Sequence, residues 1–200
     1  AAEYNPTEAV ATNIVGTQNV LHAAMENKVC KVIVISSDKA ANAVAMYGST
    51  KKCSEVLAVG YNVNTPYTRY AAVRYGNVLG SSGSVLPLFR EQAPSGVLSV
   101  THWKMTRFWF RIEDAAKYIM RCLYEMQGGE VYVPHLPAST ILDLAQAVAP
   151  KADVKMVGIR PAEKIHEIMI TDQESRNTVD QGWSYLITPD YHPWDAYAKW

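Results

Sequence analysis

Long apolar runs are missing from this chain. None approaches the roughly 20 residues that a membrane-spanning helix needs, and no secretory leader is visible. Net charge is missing as well. Its 19 basic and 19 acidic residues cancel, so nothing favours nonspecific nucleic-acid binding or attachment to an acidic membrane surface. Cysteine is scarce: Cys30, Cys53 and Cys122 are odd in number and widely spaced. That pattern fits buried thiols in a reducing, cytoplasmic compartment and argues against a disulfide frame or a thiolate metal site. The five histidines (His22, His102, His135, His166 and His192) show no paired metal spacing, and there is no H-E-x-x-H. Internal repeats, heptads and low-complexity tracts are absent too. The chain opens Ala1-Ala2-Glu3 without an initiator methionine, so the native N-terminus is expected upstream, where a membrane segment is possible.

What is present reads as globular α/β. Two hundred residues at 48% hydrophobic suit one domain, or one domain with a small lobe. Everything is arranged around Lys31 to Lys51. Lys31 to Ser36 is almost continuously apolar and β-branched, as in a strand buried on both faces of a parallel sheet. Ser36, Ser37, Asp38 and Lys39 then stand where that strand ends. Tyr47 and Lys51 follow, one helical turn apart, so both can face one spot. Ligands of open α/β sheets bind beyond the carboxyl ends of the strands.

The remaining elements follow in order. Asn5-Pro6-Thr7-Glu8 reads as a helix start, with Asn5 as cap, Pro6 at the first position and Glu8 as a capping-box acid. That helix runs to about Asn27, and Gly16 within it suggests a close backbone approach. Helices are expected over about 44–59, 85–92, 112–126 and 140–148, and another from the Arg160–Lys164 segment through Met169. His166-Glu167 falls on that last helix as a structural pair. Strands are expected at 70–75, 98–101, 105–110, 130–134 and 154–159, and the tail rich in Trp, Tyr and Pro is expected to be irregular. Gly76 to Ser84 reads as a Gly/Ser loop able to cradle phosphates, a common pattern taken singly.

The residues around the strand end allow definite chemistry. A phenol is a poor base at neutral pH, but a fixed ammonium one turn away favours phenolate. Such a tyrosine can take a hydroxyl proton while a carbon is oxidised. The same Tyr-x-x-x-Lys spacing also arises on solvated helix faces; its place after a buried strand and a Ser-Ser turn favours the catalytic reading. Asp38 and Lys39 can divide acid and base duties at carbon next to a carbonyl, or they can be a surface loop pair. Arg107, Arg160 and Glu163 are ligand clamps or surface charges: arginine matches phosphate with a planar fork, and a carboxylate accepts from sugar hydroxyls.

Together these residues resemble a known family. Ser36-Ser37-Asp38-Lys39 with Tyr47-Gly48-Ser49-Thr50-Lys51 resembles the extended short-chain dehydrogenase/reductases. More narrowly it resembles the 5-inverting UDP-N-acetylglucosamine 4,6-dehydratases of capsule, flagellin-sugar and O-antigen biosynthesis. Asn5-Pro6, the Thr12 to Val20 run, Val73 to Val78, Met105 to Phe108 and Gly158 to Pro161 stand in family order, so the resemblance covers essentially the whole chain. It implies that Tyr47 and Lys51 are the redox pair and contact the ribose and nicotinamide of NADP or NAD. Ser36, Ser37 and Tyr75 would join that cofactor site. Asp38 would be the acid at C6 and Lys39 the base at C5. Asn77, Arg107, Arg160 and Glu163 would hold the UDP part of the substrate. The implied reaction oxidises C4, eliminates water across C5–C6 and reduces C6 with inversion at C5. No metal is implied. In relatives the helices equivalent to 5–27 and 44–59 form a dimer contact, so a homo-oligomer through those helices is expected.

Three departures from the family matter. Its Asn-Pro after the active loop is Asn42-Ala43 here, and its Arg-Pro-Gly-Glu is Arg160-Pro161-Ala162-Glu163, which crowds a tight turn. The third is that no Gly-x-Gly-x-x-Gly occurs anywhere in the chain. The reading is therefore the second part of a Rossmann-like parallel sheet plus a small substrate-binding lobe, with the dinucleotide fingerprint lying upstream. Residues 1–78, with 108–137 returning to the same sheet, are expected to form the NAD(P)-binding part. Residues 79–107 and 138–200 are expected to form the nucleotide-sugar lobe. The isolated chain is expected to be inactive. Two rivals stay open: a nucleotide-sugar 4-epimerase, which needs no Asp-Lys pair, and a non-catalytic module that keeps only the sugar-nucleotide lobe.

Overall fold

The structure, a computed structural model, describes residues 2–81 and 83–189. In chain order it forms helix α1 (Pro6–Val10), a π-helical turn (Ala11–Val15) and helix α2 (Gly16–Glu26). Strand β1 (Lys31–Ile35), a 3-10 turn (Asp38–Ala40), helix α3 (Met46–Tyr61) and strand β2 (Arg69–Val73) come next. Strand β3 (Asn77–Val78), helix α4 (Val85–Gln92), strand β4 (Val97–Val100), strand β5 (Thr106–Phe110) and helix α5 (Ile112–Glu125) follow. The chain continues through β6 (Val131–Pro134), β7 (Ala138–Thr140), α6 (Ile141–Val148) and β8 (Asp153–Met156). It closes with the short helix α7 (Asp172–Ser175), β9 (Thr178–Asp180) and β10 (Ser184–Ile187). No helix among the described residues is long and apolar enough to cross a membrane.

These elements fall into two compact units. Among the described residues the first holds 2–75, Ala116–His135 and 168–189; the second holds Gly76–Ala115 and Leu136–Glu167. In the first unit β1, β2 and β6 run parallel, and β10 and β9 add antiparallel strands in the order β1-β2-β6-β10-β9. The register of β1 on β2 pairs Ile35 with Val73, so both strands end together and deliver Ser36 and Arg74 to one sheet end. Burial follows the apolar runs. Ala71, Ala72 and Val73 are fully buried, and Leu21 and Ala24 of α2 pack against Tyr70, Val32 and Val34. In the second unit β3 and β5 are parallel and β5 and β7 antiparallel, while β4 pairs with β8. Phe89, Leu98, Val100, Met105, Ile141 and Ala145 form its core.

Several expectations change here. Residues 168–189 belong with the first sheet rather than with the lobe, because β10 pairs with β6 along Ser184–Ile187 and buries Leu186 and Ile187. Within 108–137 only β6 returns to that sheet, since β5 pairs with β3 and β7 instead. No helix spans 160–169. The carbonyls of Lys164 and Ile165, which a helix would need, accept from the Arg107 guanidinium. His166 is therefore off any helix, and its Nδ1 meets Thr106 Oγ1 at 2.8 Å. The tail is not wholly irregular, for β9 and β10 lie within it; the rest of that expectation concerns residues 190–200, outside the described residues. Asn5 precedes α1, but its side chain makes no capping bond, and Glu8 instead accepts from Thr12 Oγ1 at 2.9 Å. Gly16 meets no neighbouring element: an added Cβ would touch only the Ala11 carbonyl, at 3.4 Å. Cys30 and Cys53 are exposed; only Cys122 is buried, where burial pushes its thiol up to about 12.

Candidate active site

The end of the first sheet is built by backbone pairing. Ser36 N donates to Val73 O at 2.7 Å and Asp38 N to Tyr75 O at 2.9 Å, so the turn after β1 is stitched to the residues leaving β2. Ser37 caps the turn through its hydroxyl, which accepts from Lys39 N. Asp38 is fully buried at its centre. Its Oδ1 accepts from Ser37 Oγ at 2.9 Å and from Lys39 Nζ at 3.0 Å. Its Oδ2 and the buried Ser36 Oγ have no hydrogen-bond partner among the described residues. A buried polar atom left unpartnered is costly, so two of them at a strand end mark a place for a ligand. Asp38 and Lys39 are thus not a solvated loop pair: the carboxylate is buried and the amine, one-third exposed, leans on it.

Helix α3 brings Tyr47 and Lys51 to the same end. Tyr47 lies in the first turn and is 38% exposed. Lys51 Nζ donates to the Ile35 carbonyl at 2.6 Å, which ties the helix to the last residue of β1 and leaves two N–H donors. Burial pushes the Lys51 amine below the usual lysine value, partly offset by the Glu55 carboxylate. Burial likewise pushes the Tyr75 phenol up, and Tyr47 lies near enough to oppose a second charge. Gly48 sets the approach of helix to turn: an added Cβ would stand 2.3 Å from the Lys39 carbonyl oxygen. Ser36, Tyr47, Lys51 and Tyr75 fit the nicotinamide–ribose end of a dinucleotide, with an unpartnered hydroxyl, spare ammonium donors and a half-open phenol. The Gly-x-Gly-x-x-Gly motif, whose turn receives a pyrophosphate, does not occur in the sequence.

Behind this helix lies a feature that motif reading missed. Arg74, fully buried, donates from Nε and Nη2 to both oxygens of Glu55, at 2.9 and 2.7 Å. It grips Glu174 with a second fork, at 2.9 and 2.8 Å, and reaches the Met169 carbonyl at 2.7 Å. All five guanidinium N–H groups are used. Lys52 closes the cluster on Glu174 at 2.8 Å. The available signals were a charged residue ending the apolar run 70–75 and a carboxylate one turn beyond Lys51 on the same helix stripe.

The second unit holds the other candidates. Asn77 is on β3, and its Oδ1 is buried without a hydrogen-bond partner among the described residues. Arg107 is 6% exposed and already committed: it donates to the carbonyls of Thr106, Ile165 and Lys164, with Glu163 3.7 Å away. It braces the 163–165 segment rather than standing open as a clamp. Glu163 accepts from Arg160 N at 3.2 Å and so closes the turn in which Ala162 sits at φ 61°. Arg160 is exposed.

A strand-end turn with a Tyr-x-x-x-Lys helix, on parallel strands flanked by helices, defines the class: a Rossmann-like protein of short-chain dehydrogenase/reductase type. The chain belongs to the family described as polysaccharide biosynthesis protein, which matches residues 1–189. It is 45% identical over 192 residues to the UDP-N-acetylglucosamine 4,6-dehydratase (inverting) of Campylobacter jejuni subsp. jejuni serotype O:2, covering 94% of this chain and 58% of that protein. It is 36% identical over 197 residues to the UDP-glucose 4-epimerase of Rickettsia canadensis, covering 94% and 57%. Among solved structures it superposes on Pen from Bacillus thuringiensis with a TM-score of 0.89 at 34% identity, covering 94% of this chain and 62% of that one. The chain therefore spans about three-fifths of the length of the curated relatives it matches.

Proposed function

We propose that this chain carries the catalytic turn, the catalytic helix and the sugar-nucleotide lobe of a 4,6-dehydratase acting on UDP-N-acetylglucosamine. The product would be a UDP-4-keto-6-deoxy-hexose inverted at C5, for surface-glycan synthesis in the cytoplasm. The observation that carries the reading is Asp38: a buried carboxyl with one oxygen shared by Ser37 and Lys39 and the other unpartnered. An epimerase has no use for such a pair, whereas an elimination needs both an acid and a base. A bound nicotinamide dinucleotide, NADP in this reading, supplies the oxidising and reducing equivalent. Tyr47 takes the C4 hydroxyl proton at its phenolic oxygen, and Lys51 holds the ribose and favours the charged phenol. Lys39 Nζ takes the C5 proton once C4 is a ketone. Asp38 gives a proton to the C6 hydroxyl, which leaves as water. Ser36, Ser37 and Tyr75 complete the cofactor contacts. Asn77, Arg160 and Glu163 hold the UDP portion, and Arg107 keeps their segment in shape.

The test uses the full-length protein, with the dinucleotide-binding region that this reading expects upstream. Lys39→Ala is expected to oxidise C4 yet block elimination, so a 4-keto sugar that keeps its C6 hydroxyl accumulates. Tyr47→Phe is expected to impair the first oxidation. Loss of a general acid or base costs about two to four orders of magnitude in rate. Solvent deuterium at C5 and nicotinamide absorbance separate the two. Formation of the 6-deoxy-4-keto product by Lys39→Ala at the unmodified rate would remove Lys39 from the reaction and return the epimerase reading. The same reading has the protein at least dimeric through helices 5–27 and 44–59, which leave Val10, Val15, Val20 and Val56 exposed. Light scattering at micromolar concentration is expected to show no monomer.

A further inference from the structure

We propose that Arg74 and Glu55 are a positioning pair that locks the Tyr47–Lys51 helix to the end of β2, with the Glu55 carboxylate held one helical turn from Lys51. The inference deepens the reading above and rests on it for the roles of Tyr47 and Lys51.

The geometry carries it. Tyr47, Lys51 and Glu55 lie four residues apart along α3, which puts them on one stripe of the helix. The middle member bonds the last carbonyl of β1, and the third is gripped by Arg74 through a two-point fork. Arg74 belongs to a three-residue stretch that also holds the catalytic turn: Val73 O receives Ser36 N, and Tyr75 O receives Asp38 N. Residues 73–75 thus hold the turn by backbone and the helix by side chain. A rigid body with two anchors on one short segment keeps Tyr47 at a set distance from Asp38 and Lys39.

Stability alone is a poor reason for such a pair. Two buried charges lose hydration, and apolar residues of similar volume often serve as well or better. A double fork offers what apolar contacts lack, a fixed direction. It also places a carboxylate one turn from Lys51. Other titratable groups lie on the elements packed against α3: Lys31 on β1, Asp38 and Lys39 in the turn, Glu8, His22 and Glu26 on α1 and α2, Arg69 and Tyr70 on β2, and Arg74 and Tyr75 just beyond it. On α3 itself are Tyr47, Lys52, Cys53, Glu55 and Tyr61. Glu55 is the one whose field reaches Lys51. Burial drives that amine toward its neutral form, and Glu55 opposes it.

Two variants separate positioning from packing. Arg74→Met with Glu55→Met replaces the pair by apolar side chains, and Glu174 retains Lys52 and its Thr171 cap. This double variant is expected to fold, with a urea midpoint lowered by the loss of the Arg74–Glu174 fork. Glu55→Gln keeps the shape and removes only the charge. In Glu55→Gln the Lys51 amine, followed by nitrogen-15 NMR of the lysine side chains, is expected to titrate at lower pH, whereas the double variant removes a cation together with the anion and moves it little. In full-length Glu55→Gln the basic limb of the pH–rate profile is expected to move down with the amine. The double variant is further expected to lose about tenfold or more in kcat with little change in KM, because helix placement and not substrate binding is disturbed. A folded double variant with unchanged kcat, or a folded Glu55→Gln variant with an unmoved Lys51 titration and pH profile, would overturn the proposal and leave the pair as packing. Failure of the other reading looks different: full activity of Tyr47→Phe would remove Tyr47 from the chemistry while the Lys51 titration still shifted.

Discussion

Gly48 is the residue at which helix propensity and tertiary contact point in opposite directions, so Gly48→Ala gives a signed prediction. In a helix interior alanine is favoured over glycine by about 1 kcal/mol, so propensity alone makes the substitution stabilising. The structure argues otherwise. The new Cβ would lie 2.3 Å from the Lys39 carbonyl oxygen and 3.1 Å from its carbonyl carbon. Ordinary contact begins near 3.4 Å, so helix or turn must retreat by about 1 Å. Neither retreats easily. The turn is held by Asp38 N on Tyr75 O and by Ala40 N on Ser37 O, and the helix by Lys51 on Ile35 O and by the Arg74 fork. Overpacking of this kind costs about 1–3 kcal/mol, so that after the propensity gain the net is a loss of up to about 2 kcal/mol. Gly60 is the control: it lies in the same helix with nothing within 4 Å of an added Cβ, so Gly60→Ala should raise stability by up to about 1 kcal/mol. Urea unfolding of the two variants reads both signs, with unchanged slopes ensuring that midpoints report stability. In the full-length protein Gly48→Ala should also lower kcat about a hundredfold, because the displacement separates Tyr47 from Lys39. A Gly48→Ala midpoint that rises as the Gly60→Ala midpoint does would refute the close approach and its consequence for the site.

Two further outcomes follow from other parts of the structure. Ala162 holds φ 61°, a left-handed conformation that costs a residue with a Cβ about 1 kcal/mol, so Ala162→Gly should raise the thermal midpoint by a few degrees; an unchanged or lower midpoint would count against that turn. Burial would raise the Glu174 carboxyl, but hydrogen bonds from Arg74 and Lys52 outweigh it and hold the group well below the usual carboxylate range. A depressed carboxylate stabilises the fold above its unfolded pKa, and that stability is lost as pH falls through the folded value, here below about pH 4. Glu174→Gln should therefore lower stability at neutral pH and flatten its fall in acid, as read from urea midpoints between neutral and acid pH.

Much of the local structure was legible in the residues themselves. The β-branched run Lys31 to Ile35 could only be a strand, and α4 runs from Val85 to Gln92 as its pattern implies. Thr140 and Asp143 close a capping box at the start of α6, the expected helix with an acid in its first turn. The crowded turn at Ala162 followed from a side chain where the family carries none. These are short-range effects, decided by a residue and its near neighbours along the chain. The strand-end Ser-Ser-Asp-Lys and the Tyr-x-x-x-Lys pair were legible for the same reason, since a strand end and one helical turn set their spacing. Contacts distant along the chain were not legible. Whether Arg107 clamps a ligand or braces a loop depends on carbonyls nearly 60 residues away, and those carbonyls also cancelled the helix expected through Met169. Arg74 looked like a charge at the end of an apolar strand until Glu55 and Glu174, 19 and 100 residues away, took all but one of its donors. The strand 184–187 could be assigned to its sheet only by pairing with β6, because neither its length nor its composition names a partner. Periodicity acts within a segment. The satisfaction of a buried charge and the closing of a sheet are settled between segments, and only the folded chain brings those together.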